Sequence, residues 1–185
     1  MSAESDTEQT TGFGIESRYG WPIGGALGGV IGAAAFGLLL WLFDPEFVEV
    51  AIPGIYGIEA TGITGWLIHL VHGAVLGMLF GFLVTRRPIL GILRTDVETD
   101  AIAGRGNWVR LVAAGFVYGL AIWAILPVTI LPLWVEVFGA AAAGGFPTLV
   151  VESMLGHFVF GIVLGLVFAV TVDLRDRGAS EPLEE

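Results

Sequence analysis

Three histidines carry the chemistry available to this chain, because each lies inside an otherwise apolar stretch. His69 opens a series in which Gly73, Gly77 and Gly81 follow at every fourth position. His157 opens a second series, followed by Gly161, Gly165 and Ala169 at the same spacing. In a helix, that spacing puts each histidine and its small residues on one face. An imidazole so placed can ligate a metal or haem, carry a proton, or donate as a neutral clasp to a carbonyl of the next helix. His72 follows His69 by three residues and projects about 60° away from it; its counterpart in the second series is Phe160. His69 and His157 form the candidate cofactor-binding pair. With His72 they form a candidate nitrogen-rich site for zinc or copper.

Carboxylates near these stretches are candidates to orient an imidazole from behind. Glu49 and Glu136 occupy matched positions in two Pro-x-aromatic-Val-Glu-Val segments, and Glu152 lies near the start of the last apolar run. In layout the histidine pair is similar to that of b-type cytochromes, which hold haem between histidines on two helices and use glycines for close approach. The resemblance implies haem b, or another redox metal, between His69 and His157. It covers layout alone, since the respiratory members carry their histidines in pairs on each helix. No nucleophile constellation, phosphate loop or dinucleotide fingerprint is present, which argues against an enzyme.

The elements that must position these residues are membrane helices. Hydrophobic residues make up 55% of the 185, charged residues 14%, and the apolar residues come in unbroken blocks rather than on one helical face. Four runs are long enough to span: Trp21–Phe43, Ile63–Thr85, Leu111–Leu133 with Pro127 and Pro132 near its end, and Leu149–Val172. Counted at 1.5 Å per residue, His69 lies about 9 Å and His157 about 12 Å inside their spans. At such depth an ionisable side chain is costly and marks a functional site by default.

Orientation follows from arginine. All eight basic residues are Arg, and they fall before the first span, between the second and third, and after the fourth; the connections 44–62 and 134–148 have none. The positive-inside rule then puts both termini and the central loop in the cytoplasm and the other two connections outside. The chain is expected to be a multi-pass protein of the cell membrane. A net charge of −10 with no basic stripe excludes nucleic acid as a partner. The acidic, lysine-free composition is that of a protein kept soluble in high salt. There is no cysteine, hence no disulfide or thiolate site. The acidic starting segment lacks the features of a signal peptide and reads as a disordered tail.

The two histidine series belong to an internal repeat. A shift of 87 residues lays Pro45-Glu46-Phe47-Val48-Glu49-Val50 on Pro132-Leu133-Trp134-Val135-Glu136-Val137, Trp21 on Trp108, Gly28 on Gly115, Gly32 on Gly119 and Gly57 on Gly144. A shift of 88 lays His69, Gly73 and Gly77 on His157, Gly161 and Gly165. The expected fold is an all-α integral membrane protein, a tandem duplication of a two-helix unit. Its halves run parallel about a pseudo-twofold axis along the membrane normal, with short interfacial segments on the outer side. Residues 1–20 form an acidic tail, 21–85 the first unit, 86–107 a cytoplasmic loop, 108–172 the second unit and 173–185 an acidic tail. Asp44-Pro45 reads as a cap with proline at the first helical position, and Phe47 and Trp134 are expected at headgroup level.

Gly24, Gly28, Gly32, Gly73, Gly77, Gly81, Gly115, Gly119, Gly161 and Gly165 are expected to let helices approach closely. Three functional readings follow. The first is a non-enzymatic accessory or scaffold subunit, with the lipid bilayer and other membrane subunits or copies of itself as partners. The second is a haem or metal protein for electron transfer using His69 and His157. The third is an oligomeric path for protons, ions or a small solute.

Overall fold

The computed structural model describes residues 20–59, 61–89, 106–138 and 148–172, and within these not the side chains of 106, 107, 135, 138 and 148–152. Every described element is helical. α1 (Gly20–Phe43) leads to a π-helical turn, Phe47–Ala51, and the short α2 (Ile52–Ile55); α3 is Ile63–Val84. α4 (Gly106–Ile125) continues through a second π-helical turn, Leu126–Ile130, into α5 (Leu131–Phe138), and α6 is Thr148–Thr171. Four helical spans, Gly20–Phe43, Ile63–Val84, Trp108–Trp134 and Ser153–Thr171, are long and apolar enough to cross a membrane. The tails and most of the 86–107 loop lie outside the described residues, as do Gly144 and the side chain of Glu152.

The third helix differs from expectation at both ends. It begins at Gly106, before the apolar run, because Trp108 and Arg110 extend the helix beyond the uncharged segment. The prolines at its far end do not stop it. Pro127 has no N–H to donate, and the chain accommodates it with a π turn, in which the Leu131 N–H reaches back to the Leu126 carbonyl. The Thr129 hydroxyl donates to the Ala124 carbonyl at 2.9 Å within this turn. After α1, Asp44 Oδ1 accepts the Glu46 N–H at 3.1 Å, so Asp44 caps a helical turn that starts at Pro45. The following turn is again π-helical, with the Ile52 N–H on the Phe47 carbonyl.

Glycine determines how the helices meet. A side chain at Gly29 would overlap the Gly73 carbonyl, and one at Gly77 the Gly25 carbonyl, so α1 and α3 run with their backbones in contact. In the same way Gly115 and Gly161 abut across α4 and α6, and Gly165 sits on the Leu111 carbonyl. Gly24, Gly28 and Gly32 lie on a different face of α1, against Val172, Leu164 and Phe160 of α6. Gly81 meets the Trp21 carbonyl and Phe168, and Gly119 the His157 carbonyl. α1 and α6 are therefore the central pair, with α3 flanking α1 and α4 flanking α6.

The two flanking helices barely meet. Their link is the Tyr118 hydroxyl on α4, which donates to the Leu76 carbonyl on α3 at 2.8 Å. Around it, Phe80 packs against Tyr118 and edge-on against Phe168, with ring centroids 5.3 and 5.5 Å apart. These aromatics close the half of the bundle nearer the chain termini. The other half, toward the 44–62 connection, stays open between α3 and α4.

Candidate functional site

That opening is a cavity of about 470 Å³. Its walls are Ala33 and Phe36 of α1, His69, His72, Gly73, Val75 and Leu76 of α3, Ile122 of α4, and His157 and Phe160 of α6. Both π turns border it, the first through Phe47 and the second through Leu126, Pro127 and Ile130. Ile52, Ile55, Tyr56, Leu131 and Trp134 form its roof, where the Trp134 indole N–H donates to the Ile55 carbonyl at 3.0 Å. None of the lining residues is charged. All three histidines thus border one space, although His157 comes from a different apolar run than His69 and His72.

His69 is buried, and its Nε2–H donates to the Ala33 carbonyl of α1 at 3.0 Å. A carbonyl only accepts, so Nε2 carries the proton and Nδ1 keeps a lone pair. His157 uses the other nitrogen: Nδ1–H donates to the Ser153 carbonyl of its own helix at 2.7 Å, leaving the lone pair on Nε2. Neither remaining nitrogen has a protein partner, yet among the described residues no buried side-chain nitrogen or oxygen is unpartnered. Both lone pairs are therefore accessible, and the open space that the two rings border is the cavity.

The two imidazoles converge on Phe36. Its ring lies edge-on to His69 at 5.2 Å between centroids and tilted to His157 at 4.7 Å. The Phe36 ring also fits onto Gly156, where a side chain would overlap it. His72 lies at the cavity edge, with Nε2 2.7 Å from the Tyr56 hydroxyl and the rings 5.7 Å apart. Partial burial pushes the Tyr56 phenol above its ordinary range, so it is a neutral hydroxyl able to donate to that nitrogen.

The carboxylates stand elsewhere. Glu49 accepts the Trp41 indole N–H at 2.9 Å instead of approaching a histidine, and Glu136 is exposed. Among the described residues no three His, Asp or Glu side chains come together as a metal site, so His69, His72 and His157 share a cavity without forming one ligand set. His69 and His157, the pair that a haem would take as ligands, both pack on Phe36. Phe36 and Tyr56 were not singled out by sequence, and Trp134 was expected at headgroup level rather than at this site. Phe36 follows Gly32 by four residues and so continues the glycine series onto the site, and Trp134 was visible as the repeat partner of Phe47. Tyr56 reaches His72 only through the fold of the connection. Comparison with protein-family models, curated proteins and solved structures gives no match.

Proposed function

We propose that this is a non-enzymatic membrane protein that holds a small apolar molecule in the cavity between α3 and α4, as a component of a larger assembly or of an oligomer. The observation that carries this reading is the pair of unpartnered imidazole nitrogens, His69 Nδ1 and His157 Nε2, bordering an uncharged cavity of about 470 Å³. That size and composition, apolar walls with a few placed polar atoms, are those of a small-molecule site. The chain is a tandem duplication with both termini cytoplasmic. The arginine partition supports the orientation. The parallel contacts of Gly29 with Gly73 and of Gly115 with Gly161 support the duplication.

Native mass spectrometry of protein released from bilayers tests the binding reading. A bound small molecule is expected on the wild type and is expected to be absent from Ile122→Trp, in which a buried wall residue is enlarged into the cavity. Folded protein that carries no adduct in either form would sink it. An absorption spectrum with a Soret band, or stoichiometric metal in the same sample, would replace it with the haem or metal reading.

A further inference from the structure

We propose that the cavity selects a neutral, lipid-soluble aromatic alcohol, a phenol or quinol, whose O–H donates to a histidine nitrogen. This rests on the cavity being a binding site and adds the chemistry of what enters it. Of the two buried imidazoles on the wall, the nitrogens left over, His69 Nδ1 and His157 Nε2, are both acceptors, because the other nitrogen of each ring already donates to a carbonyl. A ligand that offers only acceptors, such as an ether or ester, would leave both unsatisfied in an apolar space, which is costly.

No charged side chain lines the wall, so neither a carboxylate nor an ammonium finds a counter-charge there. Phe36, Phe47, Trp134 and Phe160 supply flat aromatic surface suited to a ring. The chain makes this interaction once by itself: at the cavity edge the Tyr56 phenol sits 2.7 Å from His72 Nε2. α3 and α4 share few contacts, and the lining residues Val75, Leu126 and Ile130 are exposed, which gives a lipid-soluble molecule a lateral way in.

Calorimetric titration of the full chain in nanodiscs, against empty nanodiscs, tests this with 4-hexylphenol and its methyl ether, 4-hexylanisole. The phenol is expected to bind roughly tenfold more tightly than the ether, the scale of one neutral hydrogen bond. That preference is expected to fall by severalfold in His157→Leu, whose native bond is only to its own helix, and in His69→Phe. Equal binding of phenol and ether would overturn the donor selectivity and leave the cavity reading standing. Binding of neither above empty nanodiscs would overturn both. A preference unchanged in both variants would overturn the assignment to these nitrogens.

Discussion

A Cβ at Gly29 would run into the Gly73 carbonyl oxygen and lie 2.9 Å from the Gly77 Cα, and both obstacles are backbone, which cannot rotate away. Gly29→Ala is therefore expected to destabilise the bundle by about 1–3 kcal/mol, the range for overpacking. Leu27→Ala, at an exposed position on the same helix, serves as the control. Steric-trapping unfolding in bicelles measures both; equal stability of Gly29→Ala and wild type would mean that α1 and α3 are not in backbone contact. The glycine spacing made close packing legible from sequence, because small residues every fourth position serve little else in lipid. Which stripe faces which neighbour was not legible. Gly24, Gly28 and Gly32 face α6, while Gly25 and Gly29, one residue along, face α3. Adjacent stripes on one helix look alike until a partner is placed against each.

Between elements, Tyr118 bridges the α3–α4 seam, with its hydroxyl on Leu76 and its ring on Phe80. Tyr118 donates across it to Leu76, whereas the α1–α6 seam is packed along its length. Tyr118→Phe keeps the ring against Phe80 and removes only the hydroxyl. Loss of that bond is expected to cost about 0.6–1.7 kcal/mol and to broaden the distance distribution between spin labels at Leu79 and Val117, both exposed. An unchanged distribution would show that the seam is held by other contacts.

The π turns belong to this scale as well. Gly29 and Gly115 make equivalent contacts and lie 86 residues apart, whereas Pro45 and Pro132 lie 87 apart. The second unit has a π turn at Leu126–Ile130, between these markers, and a π turn closes its hydrogen bond over one more residue than an α turn. On the proposed duplication, that one residue accounts for the change of register. The sequence alignment by 87 paired Gly28 with Gly115 because nothing in residue type announces where the extra residue is absorbed.

For the molecule as a whole, the proposed topology has four spans bringing both ends of the chain to the side that the arginines mark as cytoplasmic. Tags at either end are expected to be digested by protease only after the membrane of right-side-out cells is opened. Digestion of one tag in intact cells would contradict the topology. Number and length of the spans were legible because charge-free runs of that length have few alternatives. The cavity was not. An ideal twofold relating the two units would make the α3–α4 seam match α1–α6; instead one seam is closed and the other open. The cavity is also bordered by contacts between distant residues, such as Trp134 with Ile55, that no spacing encodes. The same holds for the histidines, which occupy matched positions but bond through opposite nitrogens.

That opposition makes the most direct test. With three histidines in the chain, ¹⁵N-histidine spectra in bilayers resolve each ring, assigned through single substitutions. The expected result is two neutral rings of opposite tautomer, His69 protonated at Nε2 and His157 at Nδ1, whose bare nitrogens both shift when a phenol is added. Both rings protonated on the same nitrogen, or bare nitrogens indifferent to any added ligand, would contradict a cavity walled by two free acceptors.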